Sequence, residues 1–210
     1  MTEKHKLPTI PDSPPPVTTP PWKSGVRVLG ISESFERNDS ESTVAGVIMR
    51  GDYRIDGFGI CHPTVGGNDA TTALLSMYER LDRPDVRAWM LGGSIISWFN
   101  VIDISKLNEL SKIPVVSISY NPSDGIEEYL KEYFPEDWQN RFDIVEKVGP
   151  RVEVTLKTGH HVFLTFSGMS KARAKQLVDR FTLDGRIPEP IRVARIAAAG
   201  IHRDLDHQIL

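Results

Sequence analysis

The residues best suited to chemistry lie in Val86–Ile104, where polar side chains interrupt an apolar run. The run fits a doubly covered strand up to Gly92-Gly93-Ser94, and beyond Trp98 its polar side chains are Asn100 and Asp103. Folds of the α/β class place binding sites where a buried strand ends in a glycine turn, because backbone and ligand can approach closely there. The segment therefore predicts a polar cleft containing Asn100 and Asp103.

The other reactive side chains do not form a recognisable catalytic or zinc-binding pattern. Cys61 and His62 are adjacent and lack the spaced partners that a zinc site requires. His160-His161 falls in a predicted hairpin, where alternation directs the two rings to opposite faces. Ser94 and Ser97 have no base at motif spacing, so a hydrolase triad is not predicted.

The composition is that of one soluble globular domain, with 210 residues, 40% hydrophobic and 25% charged. The net charge of −3 means that bulk electrostatics alone would not hold the chain on nucleic acid. The single cysteine, Cys61, fits a reducing compartment. With no signal-peptide pattern and no apolar run near the ~20 residues of a membrane span, the sequence predicts a cytoplasmic protein without a membrane partner.

A Pro-rich segment precedes the first predicted strand. Seven of the fifteen prolines fall before Trp22, with little between them that could be buried. Such a segment is typical of a disordered or polyproline-II tail. We therefore predict a tail over residues 1–23 and a single domain over 24–210.

Hydrophobic periodicity predicts a mixture of strands and helices. Predicted strands lie at Val26–Ile31, Thr43–Arg50, Tyr53–Ile60, Val86–Leu91, Pro114–Ser119, Val152–Lys157 and His160–Phe166. Predicted helices lie at Asp69–Leu81, Asp103–Leu110, Asp124–Phe134, Glu136–Lys147, Lys171–Phe181 and Pro188–Ile209. A D-x-x-E pattern, a variant of the capping box, begins the helix at Asp124.

The order of these elements predicts the fold class. Three strands that form an antiparallel meander are followed by two strands that each arrive after a helix, which is the layout of the ribonuclease H-like fold. A doubly wound nucleotide-binding sheet ranks lower, because no Gly-rich phosphate loop follows the first strand. We expect an α/β mixed sheet with helices on both faces, followed by a C-terminal hairpin and helices.

Four motifs carry a resemblance to a known family. VRVLGISESF at Val26–Phe35, TVGGNDAT at Thr64–Thr71, WFNVIDI at Trp98–Ile104 and GRIPEPIRVA at Gly185–Ala194 are the segments concerned. The last three are similar to family motifs T-V-D-G-x-D-A-T, G-F-N-V-V-D and G-R-x-P-E-P-x-R-x-A. Over residues 25–199 the chain resembles a largely archaeal family of unknown function (domain of unknown function ninety-nine) that is related to endonuclease V. The resemblance implies a ribonuclease H-like fold.

The resemblance also implies a chemistry. Endonuclease V-like enzymes cut a phosphodiester beside a deaminated base, with a small cluster of acids holding a divalent metal. Hard cations prefer carboxylate oxygens, and the metal activates water and neutralises charge on the leaving oxygen. The implied catalytic residues are Glu33, Asp69 and Asp103, with Glu33 and Asp69 as ligands to Mg²⁺ or Mn²⁺.

The sequence departs from the family pattern at three positions where acids are expected. Ser32-Glu33 stands where the family shows Asp-Asp, Gly92 stands at the tip of the fourth strand, and Gly66 replaces the first Asp of its motif. Because a one-residue step along a strand reverses the side chain, Glu33 replaces the missing acid only if the strand has already ended there. An exposed charge is the equally ranked alternative for Glu33.

Structural roles compete with the functional ones at the other acids. Asp69 can cap the helix that follows it, and we favour the cap slightly over a metal role. Asp103 can likewise cap the next helix, and Asn100 can secure the turn before it. Both are also predicted members of the polar cleft, with Asn100 as a nucleic-acid-binding residue.

The C-terminal third is locally basic. Residues 171–203 contain eight Lys or Arg against three Asp or Glu, and such a flank can contact phosphates. A solvated helix face is the commoner explanation for this charge. Arg186 and Arg192, which lie in the last family motif, are predicted to bind nucleic acid, and the alternative is an Arg–Glu–Arg tie with Glu189 that braces the helix.

The sequence leaves three functional hypotheses. The favoured one is an endonuclease V-like protein that binds DNA or RNA, with a degenerate metal site and little or no nuclease activity, because Ser32 and Gly92 occupy expected acid positions. The alternative is an active endonuclease dependent on Mg²⁺ or Mn²⁺ that acts on deaminated or structured nucleic acid. A protein-interaction module on the same scaffold is the third.

Overall fold

A computed structural model describes residues 20–122 and 125–209. Most of the predicted tail, and Asp124 of the predicted capping box, lie outside these residues. The chain already packs on the domain at Trp22, whose indole Nε1 donates to the Arg173 carbonyl at 3.1 Å. The Arg173 guanidinium lies 4.0 Å from the centre of the Trp22 ring. Contacts with the domain therefore begin by Trp22.

The elements follow the predicted order, with small shifts at their ends. The strands are β1 Arg27–Ser34, β2 Thr43–Arg50, β3 Ile55–Cys61, β4 Val86–Leu91, β5 Ile95–Ile96, β6 Asn100–Val101, β7 Val115–Ser119, β8 Val152–Thr155 and β9 His161–Ser167. The helices are α1 Ala70–Leu81, α2 Ile104–Ser111, α3 Ile126–Tyr133, α4 Trp138–Lys147, α5 Lys171–Phe181 and α6 Glu189–Ile209. β1 runs three residues beyond its predicted end, and the short β5–β6 hairpin is not predicted by the sequence.

One mixed sheet organises the domain, in the order β3-β2-β1-β4-β7-β9-β8. β1, β2 and β3 form the predicted antiparallel meander, whereas β4 lies parallel to β1 and β7 lies parallel to β4. The predicted C-terminal hairpin is not a separate appendage, because β9 pairs with β7 in antiparallel register and extends the sheet. Each of the two parallel strands arrives after a helix, as the sequence predicts.

Helices cover both faces of this sheet. On one face, Leu74 of α1 and Leu107 of α2 belong to a buried cluster with Leu29 and Ile31 of β1. On the other face, Leu177 of α5 packs with residues of β1, β4 and β9, and α6 places small side chains against β2. Among the described residues, no helix combines the length and the apolar character that crossing a bilayer requires.

The close approach of α6 to β1 depends on Gly30. A Cβ atom at this position would lie 2.5 Å from the Pro190 carbonyl carbon, which is backbone and cannot move without α6. We expect Gly30→Ala to lower the free energy of unfolding by about 1–3 kcal/mol, the range for overpacking. Urea denaturation provides the measurement. Gly25→Ala is the matched control, since nothing lies within 4 Å of its Cβ; equal midpoints for the two variants would contradict this packing.

Candidate functional site

The candidate site lies at one edge of the sheet. The carboxyl ends of β1, β4 and β7 meet there because these three strands are parallel. Two loops approach this edge, namely residues 62–69 before α1 and residues 97–99 between β5 and β6. α6 begins at the same edge, where a Cβ at Gly92 would lie 3.0 Å from Ile191 Cγ2.

Glu33 points toward the loop between β5 and β6. Its carboxylate accepts hydrogen bonds from the Ser97 backbone amide at 2.6 Å and from Ser97 Oγ at 2.9 Å. Ser97 Oγ also lies 2.5 Å from Ser42 Oγ. Burial raises the pKa of Glu33 from its ordinary 4.5 to about 7, although the bonds from Ser97 oppose this shift. Glu33 is therefore a half-buried, protein-bonded carboxyl group and not an exposed charge.

Ser32 and Gly92 lie on the other face of the sheet. Ser32 pairs with Ala45, and Ala45 packs against α6. A Cβ at Gly92 would lie 3.8 Å from Ser32 Oγ, so the two expected acid positions are neighbours. Since β1 continues to Ser34, the alternation that separates Ser32 from Glu33 is complete. Glu33 consequently does not replace an acid at Ser32.

Asp69 supports the loop before α1 and does not cap that helix. Its carboxylate accepts from the Thr64 backbone amide at 3.1 Å, from Thr64 Oγ1 at 2.9 Å and from Asn100 Nδ2 at 2.6 Å. The predicted side-chain cap is wrong, since the Asp69 side chain makes no cap bond to α1. The first helical amide, that of Ala70, donates to Asn100 Oδ1 at 2.9 Å. Burial opposes the ionisation of Asp69, but the bonds from Asn100 and Thr64 outweigh it and lower its pKa.

Asn100 has an internal role. It is fully buried, and its Nδ2 also donates to the Thr64 carbonyl at 2.9 Å. Both N–H donors of its amide are thus used by Thr64 and Asp69, and its oxygen accepts from Ala70. This burial does not fit the predicted direct contact with nucleic acid. The side chain secures the loop before α1, and not the turn that precedes Asn100 as predicted.

Asp103 caps α2, as predicted. Its Oδ1 accepts from the Lys106 amide at 2.8 Å, and its Oδ2 pairs with Lys147 Nζ at 2.9 Å. Burial raises the pKa of this carboxyl, but the Lys106 amide and the Lys147 ammonium together lower it below the ordinary value. Asp103 is therefore an ionised capping group with its own cation.

These carboxylates do not fit a divalent metal. Glu33, Asp69 and Asp103 each bond to a different set of protein donors, and no cluster of three His, Cys, Asp or Glu within the described ranges is placed to hold an ion. A Mg²⁺ or Mn²⁺ site needs several oxygen ligands around one point. The structure thus does not bring the three predicted acids together.

Residues 97–99 adopt an unusual backbone conformation. Ser97, Trp98 and Phe99 have φ angles of 46°, 54° and 66°, in the left-handed region. For residues with a side chain this conformation costs roughly 1–2 kcal/mol each. The surrounding contacts stabilise it, since the Gly66 amide donates to the Ser97 carbonyl at 2.7 Å and Glu33 accepts from the Ser97 amide.

Gly66 lies against Trp98. In this chain Gly66 has a φ of 71°, and a Cβ there would lie 3.0 Å from Trp98 Cε3. The indole therefore occupies the space that a side chain at position 66 would need.

Arg141 is a central residue of the site that the sequence did not reveal. It is buried, and its guanidinium donates to the carbonyls of Gly66, Gly67 and Phe99 at 2.8, 2.9 and 2.7 Å. Its Nε donates to Asp137 Oδ2 at 2.9 Å. Arg141 thus joins both loops to α4. An arginine in an amphipathic helix carries no sequence signal for such a role.

The predicted basic residues lie around the start of α6. Arg192 forms an ion pair with Glu189 at 2.6 Å, which confirms half of the predicted tie. Arg186 donates instead to the Tyr120 carbonyl at 3.0 Å, and its guanidinium lies 5.4 Å from the Tyr120 ring. Burial raises the pKa of Tyr120 to about 12, with Arg186 and Arg195 opposing the shift. Arg186 and Arg192 are both exposed and can contact a ligand.

His202 of α6 joins the end of β1 to the following loop. Its Nδ1 lies 3.1 Å from Ser34 Oγ, and its Nε2 lies 2.9 Å from Asp39 Oδ2. His202 is buried between these partners. Their separation of more than 160 positions in the chain explains why the sequence pattern missed the contact.

Comparisons with known proteins agree with this architecture. The family model described as Endonuclease dU matches residues 24–202. A UPF0215 protein of Pyrobaculum calidifontis is 33% identical over 181 residues, which cover 86% of this chain and 99% of the relative. A crystal structure of an Archaeoglobus fulgidus protein of unknown function has a TM-score of 0.74 at 30% identity, covering 84% of this chain and 98% of the other.

A more distant structural similarity, to endonuclease V, concerns the fold. The structure of Ciona intestinalis endonuclease V, in complex with a 24mer DNA containing an inosine, matches with a TM-score of 0.56 at 15% identity over 89% of this chain and 87% of the other. The predicted ribonuclease H-like fold and the relation to endonuclease V are confirmed. From the match over residues 24–202 and the archaeal relatives, the chain belongs to the Endonuclease dU family.

Proposed function

We propose that this protein binds nucleic acid on an endonuclease V-like scaffold and performs little or no metal-dependent cleavage through Glu33, Asp69 and Asp103. The observation that carries the proposal is the separation of these carboxylates, each of which is bonded to its own protein donors. Ser32 and Gly92, neighbours on the opposite face, supply no carboxylate of their own. Membership of a nucleic-acid-processing family supports the choice of ligand.

The exposed basic residues at the start of α6 are the proposed phosphate contacts. Arg186 is anchored by the Tyr120 carbonyl and still presents exposed guanidinium surface. Arg192 is half-exposed while it pairs with Glu189. Phosphate contacts of this kind are sequence-independent and weaken as salt is added, with a slope of about 0.9 log units per contact.

A binding assay tests the first half of the proposal. We expect fluorescence anisotropy to detect binding of oligonucleotides that contain deoxyuridine or inosine. We expect Arg186→Gln to weaken this binding and to reduce the slope of log affinity against log salt concentration by about 0.9, the value for one phosphate contact. Arg54→Gln is the matched control, because its side chain is 74% exposed on the loop between β2 and β3 and pairs with Asp52. No binding by the native chain at low salt would overturn the proposal and leave the protein-interaction hypothesis.

A cleavage assay tests the second half. The family description favours an active endonuclease as the alternative, so the same oligonucleotides are incubated with Mg²⁺ or Mn²⁺. We expect binding without cutting. Metal-dependent cutting that Asp69→Ala abolishes, in a variant that remains folded, would reject the degenerate site in favour of the active enzyme.

A further inference from the structure

An exposed aromatic cluster lies beside the candidate site. We define it by the rings of Trp98, Phe99, Tyr129, Tyr133 and Phe134. Trp98 lies 5.1 Å from Phe134 and 5.7 Å from Tyr133 between ring centres, and Phe99 is stacked against Tyr133 at 6.0 Å. Tyr129 is 53% exposed and Tyr133 is 37% exposed. The aromatic cluster thus presents ring surface to solvent and is not a part of the core.

The backbone conformation of residues 97–99 places two of these rings at this surface. Trp98 and Phe99 occupy consecutive left-handed positions, which bulky residues rarely adopt. The conformation is held from three sides by Glu33, Gly66 and Arg141. A strained segment that its surroundings stabilise so fully is typical of a binding site.

A cation completes the aromatic cluster. The guanidinium of Arg37 lies 4.7 Å from the centre of the Trp98 ring and 5.2 Å from that of Tyr133. Within the described part of the chain, the Arg37 side chain has no carboxylate partner. Its N–H donors therefore remain available to an anionic or carbonyl-bearing ligand while its plane lies over the rings.

The charges around the aromatic cluster determine how a strand would lie on it. α3 carries Glu127 and Glu128 in its first turn. Lys131 pairs with Glu127 at 2.6 Å, so Glu128 is the carboxylate of this turn that would repel phosphates. Arg37 supplies positive charge on the side of the rings near β1. A nucleotide is therefore best accommodated with its base against the rings and its phosphate toward Arg37.

From this geometry we infer that the aromatic cluster binds an unpaired nucleobase by stacking, with Arg37 contacting the adjoining phosphate. The inference rests on the proposed function and names its ligand as single-stranded or locally unpaired nucleic acid. Stacking on aromatic faces tolerates any base, because every base has a π-face. Duplex DNA with all bases paired would not reach these rings.

The test compares a single-stranded oligonucleotide with an abasic strand of the same length and phosphate number. DNA and RNA forms are both used. We expect Trp98→Ala to weaken binding of the normal strand about five- to hundredfold, the range for one lost base–aromatic stack, and to leave the abasic strand unaffected. Trp98→Phe is expected to retain most of the affinity. Quenching of Trp98 fluorescence by the normal strand should be absent in Trp98→Phe.

Further variants separate stacking from folding. Tyr129→Ala removes an exposed ring on α3, and we expect it to weaken binding of the normal strand but not of the abasic strand. Phe58→Ala removes a ring on β3 that is 43% exposed, and we expect it to change the affinity for neither strand. Equal affinity of Trp98→Ala, Tyr129→Ala and native protein for the normal strand would overturn the stacking surface while the proposed binding function stands. Absence of binding by the native protein would reject both.

Discussion

Replacing Arg141 with methionine is expected to lower the free energy of unfolding by about 3–5 kcal/mol, the range for breaking a buried charged network. Methionine fills the aliphatic volume but leaves the carbonyls of Gly66, Gly67 and Phe99 without their donor. Asp137 also loses its charged partner. Urea denaturation measures the change in the free energy of unfolding. The fluorescence of Trp98 should also change, because both loops depend on Arg141.

Lys131→Met is the matched control for this prediction. It removes a cation from the neighbouring helix α3, where Lys131 pairs with Glu127 on an exposed surface. Such pairs contribute only about 0.3–0.5 kcal/mol. The loss of stability in Arg141→Lys should lie between those of Arg141→Met and Lys131→Met, since one ammonium cannot donate to three carbonyls and a carboxylate at once. An Arg141→Met protein within 1 kcal/mol of native stability would refute the central role of Arg141.

Stability is expected to fall as pH rises through the titration of Glu33. The pKa of Glu33 is 4.5 when exposed and about 7 in the folded protein. Below pH 4.5 the group is protonated in both states, and between 4.5 and 7 only the unfolded state ionises. The folded state therefore loses about 3 kcal/mol relative to the unfolded state by pH 8, as follows from 1.36 kcal/mol per pKa unit.

Glu33→Gln isolates this effect, because glutamine keeps the acceptor for Ser97 but cannot ionise. We expect the variant and the native protein to have similar free energies of unfolding at pH 4.5, and the variant to be more stable by about 3 kcal/mol at pH 8. Ser97→Ala, which removes one donor that favours the ionised form, should shift the transition to higher pH. A difference between native and Glu33→Gln that stays constant across this range would show that Glu33 does not titrate as described.

The fold was predictable because its signals are local. Apolar alternation and helical spacing placed thirteen elements in the right order, and the parallel arrangement of β4 and β7 follows from the helix before each strand. The β5–β6 hairpin was missed, since two-residue strands with a left-handed turn carry no periodicity. The joining of β9 to β7 was also missed, because hairpin patterns do not specify which sheet edge receives them.

The site was less predictable, as Asp69 and Asn100 illustrate. An aspartate directly before a helix predicts a side-chain cap, yet the Asp69 carboxylate accepts instead from Thr64 and from Asn100, which is 31 positions away. Either residue can accept a backbone amide, and only their positions in space decide between them. The cap by Asp103 was predicted correctly, because its bond from the Lys106 amide joins residues only three positions apart.

By itself, the sequence determined the order of thirteen elements along the chain, the antiparallel meander of β1 to β3 and the polar character of the edge after β4. The tertiary structure alone decided that Glu33 faces Ser97, that Arg141 holds both loops and that Trp98 joins rings from α3. Periodicity records which face of one element is buried, but it does not record which distant residue meets that face. Hydrogen bonds and ring contacts between residues 30 or more positions apart depend on the packed arrangement, and the chemistry of this site depends on them.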